Sequence, residues 1–170
     1  MKKIYSSNFV KLYSEDFKYK KKFYKNFHKI ILNNAAVVIL TNKNKVLLTF
    51  EYRRGVKKIL PGLPGGHIKK NEKPLKAVKR ELLEEFNIKA KNWKLLFSYV
   101  NSATYNCGFE YIFTADLNSD LKFLKKSHEI ENYKWVTKKE LKKIITSQKN
   151  LPCGFVASIL FYLNSNLYKH

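Results

Sequence analysis

Apolar and polar residues alternate along much of the chain. In residues 17–27 aromatic side chains alternate with lysines, which predicts a half-buried strand at the edge of a sheet. The same interleaving also suits a platform on which single-stranded nucleic acid stacks. Residues 35–40 and 46–52 are two further β-rich runs, joined by the sequence TNKNK, and they predict a hairpin. The sequence LPGLPGG that follows predicts a loop, because proline and glycine interrupt regular structure.

A helical period replaces this alternation after Pro74. Pro74 suits the first turn of a helix, where the missing N–H group costs nothing. Four apolar residues recur at helical spacing and predict a stripe that faces the core: Leu75, Val78, Leu82 and Phe86. Asn87 suits the left-handed position that commonly ends a helix, so we expect the helix to end at Phe86 or Asn87.

The last part of the chain repeats both patterns. Three β-rich segments are predicted as strands: residues 93–100, 109–115 and 132–136. Thr137 and Glu140 form a capping box for a helix over residues 138–145, and Pro152 would open a last helix that runs toward Leu163. An order of mostly strands, with one helix in the middle and two at the end, predicts a mixed α/β or α+β sandwich.

The composition is that of a folded protein. Of the 170 residues, 45% are hydrophobic and 15% aromatic, and this length suits one domain with a sizeable core. The apolar run at residues 35–40 is far shorter than the ~20 residues of a membrane helix, so we expect neither export nor a membrane span. Cys107 and Cys153 have neither metal-type nor disulfide-type spacing, which favours a reducing compartment and a cytoplasmic location.

The charge of the chain is strongly positive. With 34 basic and 13 acidic residues the net charge is +21, which suggests an anionic partner such as nucleic acid. Only Arg53, Arg54 and Arg80 are arginines, and asparagine is abundant as well. A general enrichment in lysine and asparagine explains the charge without a binding role, so a nucleic-acid partner is possible but not favoured.

Carboxylates concentrate in one segment of this basic chain. Glu81, Glu84 and Glu85 stand at positions i, i+3 and i+4 of the predicted helix, which places all three on one face. Like charges at this spacing destabilise a helix by a few tenths of a kcal/mol per pair, so the face needs solvent or a cation. Mg²⁺ or Mn²⁺ would suit it, because hard cations prefer oxygen ligands. The alternative is a solvated acidic helix face.

The residues around this face favour the metal site. Their spacing is Gly66, five residues, Glu72, seven residues, the run RELLEE from Arg80 to Glu85, one residue, Asn87 and Ile88. This pattern resembles the Nudix box of the Nudix hydrolases at every defining position except one, since the family has glycine where this chain has Asn87. Asparagine adopts the same left-handed backbone conformation, and none of the charged positions of the family is lost.

The resemblance implies a Nudix fold, in which helices sandwich a mixed β-sheet, and hydrolysis of a nucleoside diphosphate linked to another group. Residues 35–170 would form the Nudix core and residues 1–34 a strand-rich N-terminal extension of the same domain. The implied ligands of Mg²⁺ or Mn²⁺ are the carboxylates of Glu81, Glu84 and Glu85 and the carbonyl oxygen of Gly65 or Gly66. Arg80 would pair with Glu84 or Glu72 and so orient a carboxylate.

Candidate substrate-binding and proton-transfer residues lie on either side of the box. Tyr52 and Arg53 resemble a YR pair of the ADP-ribose pyrophosphatases in this superfamily. Arg53 and Arg54 could bind phosphate through the guanidinium fork, or could simply be exposed charges at a strand end. The general base would be a box glutamate or a later acid, for which Glu129 and Glu131 are the candidates.

The expected substrate is ADP-ribose, a nucleotide sugar or a similar compound. Gly62 stands where the ADP-ribose group usually has an acid, and no proline occurs between Pro74 and Pro152, where that group has one. Tyr105 is placed like a tyrosine of the dinucleoside polyphosphate hydrolases. Hydrolysis of dinucleoside polyphosphates or of RNA 5′ ends, and binding of a nucleotide without cleavage, therefore stay open. Many relatives are dimers, so a homodimer is possible.

Overall fold

A computed structural model describes residues 1–103, 105, 107–117 and 130–165, in which the chain forms two β-sheets and three α-helices. The first sheet is antiparallel, with strands in the order β1 (Lys2–Ser6), β2 (Val10–Tyr19) and β3 (Lys22–Leu32). The single strand predicted over residues 17–27 is wrong. The chain turns at Lys20, which has a φ of 54°, and the alternation simply continues on both sides of the turn.

The second sheet forms the centre of the molecule. Its strands are β4 (Ala35–Asn42), β5 (Lys45–Arg53), β6 (Lys58–Gly62), β7 (Gly65–His67), β8 (Ala90–Val100), β9 (Phe109–Leu117) and β10 (Ile130–Thr137). The main order is β10-β5-β4-β9-β8, and β6 pairs with β5 while β7 pairs with β4. The pair β4–β9 is parallel and the other pairs are antiparallel, so the sheet is mixed.

The predicted hairpin forms, but its two strands soon separate. Strands β4 and β5 pair only beside their turn, at Thr41–Val46 and Asn42–Lys45. Beyond these pairs β5 pairs with β6, and β4 pairs with β7. The sequence LPGLPGG, predicted as a loop, therefore contributes to both short strands. Proline is tolerated there, because an edge strand does not need every N–H donor.

Helices cover both faces of the central sheet. Helix α1 (Pro74–Phe86) lies on one face, and α2 (Lys138–Ser147) and α3 (Cys153–Leu163) lie on the other. Alternate residues of β4 divide between these two layers, because successive side chains of a strand point to opposite faces. Ala36, Val38 and Leu40 pack under α1, and Ile39 packs with α2 and α3. This arrangement confirms the predicted fold class.

The helix ends follow the sequence closely. Asn87 ends α1 with φ 56° and ψ 36°, the left-handed conformation that was predicted. The capping box of Thr137 and Glu140 is present at the start of α2. One detail of the apolar stripe is wrong: Leu75 is 37% exposed, and Ala77 is buried in its place. Among the residues described, no helix is long and apolar enough to cross a membrane.

Candidate active site

Arg80 is the centre of a hydrogen-bonded cluster on helix α1. Its Nε and Nη2 atoms donate to the two carboxylate oxygens of Glu72 at 2.9 and 3.0 Å. Its Nη1 atom donates to Glu81 at 2.7 Å and to Glu84 at 3.0 Å. Nη2 also donates to the carbonyl oxygen of His67 at 3.1 Å. The guanidinium fork thus ties three carboxylates of the box to strand β7, and both partners expected for Arg80 contact it.

The electrostatics of this cluster favour the charged forms. Hydrogen bonds from Arg80, and then from the backbone N–H of Lys69, lower the pKa of Glu72 from its ordinary value of 4.5 to about 2. The hydrogen bond with Glu72, followed by those with Glu81 and Glu84, raises the pKa of Arg80. Arg80 and Glu72 therefore stay paired as ions across the whole neutral and mildly acidic range.

Two glycines of strand β7 lie directly against the carboxylates. A Cβ atom on Gly66 would lie 2.8 Å from the carboxyl carbon of Glu81, closer than real Cβ contacts come. Gly65 has a φ of 142°, and a Cβ atom there would overlap the carbonyl group of Ala36. The N–H group of Gly65 donates to the carboxylate of Glu85 at 3.3 Å. Glycine at both positions thus lets the backbone approach the acidic face of α1.

The donor set suits a hard divalent cation. Glu81 and Glu85 offer carboxylate oxygens beside the backbone of Gly66 and Gly65, and Glu84 shares the Arg80 guanidinium with Glu81. Carboxylate and backbone carbonyl oxygens are the ligand types that Mg²⁺ and Mn²⁺ prefer. Arg80 contacts one oxygen each of Glu81 and Glu84. In the described part of the chain, no three His, Cys, Asp or Glu side chains already converge on one point. Metal binding would therefore require the carboxylates to turn toward a common centre.

A cleft of about 380 Å³ opens where strands β4 and β5 separate. Its near wall includes Ala35 and Val37 of β4, Glu51 and Arg53 of β5, and Gly65 and Gly66 of β7. The α1 carboxylates are not part of this lining, but Glu81 and Glu85 approach Gly66 and Gly65 from the helix side. This volume lies within the ~300–1,000 Å³ that is usual for small-molecule sites.

Strand β5 contributes an ion pair to the cleft. The Nη1 atom of Arg53 lies 3.1 Å from a carboxylate oxygen of Glu51, and the hydroxyl group of Thr49 donates to the other oxygen at 2.8 Å. Tyr52 and Arg54, the other expected substrate-binding residues, are exposed and do not line the cleft. Strand alternation explains the difference, because Glu51 and Arg53 share one face of β5. Sequence analysis missed Glu51, which the same alternation would have indicated.

The far wall of the cleft comes from β8, β9 and α3. Tyr99, Glu110 and Gly154 are among its lining residues, and sequence analysis singled out none of them. Of the two later acids proposed as a general base, Glu129 lies outside the described residues. Glu131 is an exposed residue of β10 and does not line the cleft.

The comparison with protein families agrees with this geometry. The model of the NUDIX domain matches residues 32–153, which is well over half of the chain. The chain belongs to the Nudix family. The match begins at the last residue of β3 and ends at the first residue of α3, so it includes strand β7 with its two glycines and the whole of α1.

Two curated relatives match part of the Nudix chain. A methanol dehydrogenase activator of Bacillus methanolicus is 32% identical over 68 residues, which cover 40% of this chain and 37% of the relative. An ADP-ribose pyrophosphatase of Bacillus subtilis (strain 168) is 24% identical over 102 residues, which cover 60% of this chain and 54% of the relative. The chain thus spans about a third to a half of the length of these relatives.

Solved structures reproduce the fold over more of the chain. The crystal structure of an ADP compounds hydrolase superposes with a TM-score of 0.79 at 17% identity, covering 99% of this chain and 92% of the other. A NUDIX hydrolase from Nitrosomonas europaea superposes with a TM-score of 0.63 at 21% identity, covering 78% of this chain and 89% of the other. The first match extends over the N-terminal sheet as well as the Nudix core.

Proposed function

We propose that this protein is a divalent-metal-dependent pyrophosphohydrolase that cleaves a nucleoside diphosphate linked to another group, of the ADP-ribose or nucleotide-sugar type, and releases a nucleoside monophosphate. One observation carries the proposal: the carboxylates of Glu81 and Glu85 on α1 lie against Gly66 and Gly65, which also line the cleft, and Arg80 joins Glu84 to Glu81. A substrate in the cleft would therefore place its phosphates beside the acidic face of the helix.

Family membership and the partial relatives support this choice of substrate class. One relative is an ADP-ribose pyrophosphatase, and one similar structure is that of an ADP compounds hydrolase. Gly62 stands where an acid is usual in the ADP-ribose group, yet the carboxylate of Glu51 lies 3.4 Å from the Cβ position of Gly62. A carboxylate from the neighbouring strand thus occupies the space that the missing acid would take.

Glu81, Glu84 and Glu85, with the carbonyl oxygen of Gly65, would hold Mg²⁺ or Mn²⁺. Such an ion supplies charge neutralisation on phosphate oxygens and a more acidic bound water. Arg80 and Glu72 would orient the metal ligands. Arg80 fixes two of the three carboxylates and ties them to the backbone of strand β7, and Glu72 holds Arg80 in place.

Among the described residues that line the cleft, Arg53 is the cationic side chain available to the substrate. The Arg53 side chain is 47% exposed while its guanidinium group contacts Glu51, whose side chain is 20% exposed. Glu51 leaves part of the guanidinium fork accessible and holds it toward the cleft. We infer that Arg53 binds a phosphate oxygen of the diphosphate.

A glutamate would take the proton from the attacking water; Glu129 is the later acid that we retain for this role.

We also infer a single-domain, cytoplasmic protein. Cys107 and Cys153 are both exposed and free, which suits a reducing compartment. Hydrogen bonds join the N-terminal sheet to the Nudix core, for example between the N–H of Cys107 and the carbonyl of Ile30 at 3.1 Å. This contact favours treating residues 1–34 as part of the same folding unit.

The first experiment measures nucleoside monophosphate release with and without Mg²⁺. The panel contains ADP-ribose, nucleotide sugars, dinucleoside polyphosphates and RNA with a 5′-triphosphate. We expect Mg²⁺-dependent cleavage of an ADP-ribose-type compound, and we expect Glu84→Gln to abolish it, because the amide removes a charged ligand while keeping the shape of the side chain.

The matched control is Glu15→Gln, the same chemical change on strand β2, outside the cleft. This variant should keep wild-type turnover, and circular dichroism should show that both variants are folded. Full activity of Glu84→Gln would overturn the proposal. Turnover restricted to RNA would replace the substrate class, and absence of turnover on the whole panel would favour a binding module.

A further inference from the structure

The far end of the cleft holds two polar side chains that the proposed chemistry does not use. Tyr99 on β8 and Glu110 on β9 are direct cross-strand partners, and both line the cleft. The same row of the sheet continues through Ala35 on β4 to His67 on β7, beside Gly66. Because neighbouring strands lie ~4.8 Å apart and this row crosses from β8 through β9 and β4 to β7, about 14 Å separate Tyr99 from strand β7. The cleft is therefore longer than the metal-binding end alone requires.

The hydroxyl group of Tyr99 is buried and unusual in its bonding. No hydrogen bond of normal geometry joins it to any residue that the structure describes. Burial, and then a hydrogen-bonding interaction with the carboxylate of Glu110, raise the pKa of Tyr99, so the hydroxyl keeps its proton; the geometry of this interaction falls short of a normal hydrogen bond. A buried donor without a well-formed hydrogen bond is destabilising and is uncommon in folded proteins. A ligand that accepts this hydrogen bond would account for its presence.

Gly154 packs directly against this pair of side chains at the edge of the cleft. A Cβ atom at position 154 would overlap the hydroxyl group of Tyr99 and would lie 3.5 Å from the Oε2 atom of Glu110. The Tyr99 hydroxyl group therefore occupies the space that a side chain at the start of helix α3 would take. With glycine at this position, a hydrogen-bond donor and a carboxylate acceptor lie in the same small region at the edge of the cleft.

The chemistry of the pair selects the ligand group. A carboxylate repels phosphate, so the diphosphate is disfavoured at this end. A hydroxyl group accepts one hydrogen bond and donates another, which matches a tyrosine hydroxyl beside a carboxylate. A sugar carries several such hydroxyls. The metal-binding end and the far end of the cleft are thus suited to different parts of one molecule.

We propose that Tyr99 and Glu110 form a sugar-hydroxyl subsite that determines substrate specificity. This inference rests on the proposed function, because it assigns the far end of the same cleft. A nucleoside diphosphate linked to a sugar contains two sources of such hydroxyls: the ribose of the nucleoside, and the sugar beyond the diphosphate. Both present the same chemistry to the subsite.

The test compares kcat/KM of Tyr99→Phe and Glu110→Gln with that of the wild type on three substrates. These are ADP-ribose, the methyl ester of ADP, which lacks the second sugar, and an ADP-ribose analogue whose adenosine lacks both ribose hydroxyls. Tyr111→Phe is the matched control. Tyr111 is adjacent to Glu110 on β9, but it packs on the opposite face, toward the core beneath α1.

Each variant should lower kcat/KM for ADP-ribose by about 10–100-fold, the size expected when a buried hydrogen bond to substrate is lost. If the subsite binds the second sugar, both variants should cleave the methyl ester of ADP with the wild-type kcat/KM. If the subsite binds the nucleoside ribose, both variants should instead cleave the analogue without ribose hydroxyls with the wild-type kcat/KM. Equal losses on all three substrates, or no loss on any, would overturn the subsite.

Binding measured by calorimetry without added metal separates this inference from the proposed function. The wild type should bind ADP-ribose, and both variants should bind it about 10–100-fold more weakly. If the wild type binds ADP-ribose but does not cleave it in Mg²⁺, the proposed hydrolase function is refuted. The subsite would then stand if both variants bind ADP-ribose more weakly, and would fall if they bind it as the wild type does. No binding by the wild type would overturn the subsite. Tyr99→Phe should unfold close to the wild-type temperature, because it removes a buried hydroxyl that lacks a well-formed hydrogen bond, so its weaker binding would not reflect unfolding.

Discussion

Two polar regions at the cleft are built on opposite principles. One is the acidic face of α1, which approaches the cleft glycines from the helix side and is called the α1 wall below; the other is the far wall at β8 and β9. On the α1 side the polar groups bond to one another, and the single side chain of Arg80 contacts all three of Glu72, Glu81 and Glu84. On the β8–β9 side the hydroxyl group of Tyr99 is buried without a hydrogen bond to a described residue. The first wall fixes charged groups before any substrate arrives, as electrostatic catalysis requires. The second wall keeps its hydrogen-bonding capacity for a ligand.

The net charge sharpens this contrast. In a chain of charge +21, isolated carboxylates would attract one of the many surface lysines. Arg80 contacts the acidic face from within the site, at a side-chain exposure of 20%. It orders the carboxylates with one fixed cation and still contacts only one oxygen each of Glu81 and Glu84. The acidic face is therefore organised without being fully neutralised.

The largest effect in this comparison should come from Arg80→Lys. A lysine ammonium keeps the charge but has no planar fork, so it cannot hold Glu72 through two bonds and also order Glu81 and Glu84. Residues that orient metal ligands typically contribute 10–100-fold, and we expect metal-dependent kcat/KM to fall by about that factor. Steady-state kinetics over a range of Mg²⁺ concentrations would measure the loss and any increase in the metal requirement.

Lys76→Arg is the matched control, because it replaces a lysine by an arginine one turn earlier, at an exposed position of α1. This variant should keep wild-type kinetics. If Arg80→Lys also kept wild-type kinetics and metal requirement, the ordered wall would not matter for catalysis. The contrast between the two walls would then describe the resting structure only.

The α1 wall could be predicted from the sequence because its information is local. The spacing of Glu81, Glu84 and Glu85 along one helix determines their common face, and the box adds Glu72 and Arg80. Asn87 was correctly predicted to end the helix, because left-handed conformation is a property of the residue type. Short-range geometry translates directly into sequence spacing.

The far wall could not be predicted in this way. Tyr99 and Glu110 become neighbours only through the register of β8 with β9, and that register contains irregularities between Lys91 and Lys94 and between Leu95 and Phe97. A one-residue shift would turn either side chain to the other face of the sheet. The turn at Lys20 was missed for a related reason, since lysine carries no turn signal.

Gly66→Ala should have an intermediate effect on the α1 wall. The new Cβ atom would lie 2.8 Å from the carboxyl group of Glu81, so this carboxylate must move away from strand β7. Because the glutamate side chain is flexible, we expect a loss of about 10-fold in kcat/KM rather than inactivation. The far wall should be unaffected, so the relative preference for ADP-ribose over the methyl ester of ADP should stay constant.

Gly55→Ala is the matched control for this change. A Cβ atom at Gly55 meets nothing within 4 Å, and activity should be preserved. Gly65→Ala provides the opposite limit, since φ is 142° there and the Cβ atom would collide with the backbone of Ala36. That variant should lose stability in thermal unfolding. An unchanged kcat/KM in Gly66→Ala would show that the position of the Glu81 carboxylate is not critical.

The smallest effect concerns the pH dependence of the α1 wall. The pKa of Glu72 is lowered from 4.5 to about 2, so its ionised form is stabilised in the folded protein. The stabilisation is complete above pH 4.5 and is lost as the pH falls toward 2. In urea unfolding, the wild type should exceed Glu72→Gln in stability at pH 7, and this difference should shrink between pH 4.5 and 2.

The same difference measured in an Arg80→Lys background separates the ion pair from other effects of the substitution. Arg80 is the largest cause of the lowered pKa, and the backbone N–H of Lys69 is the next. Without the guanidinium fork, Glu72→Gln should cost less stability, and the remaining pH dependence should move toward 4.5. An identical pH profile in both backgrounds would assign the shift to the backbone contact at Lys69, and the order of the α1 wall would then depend on the loop before the helix rather than on Arg80.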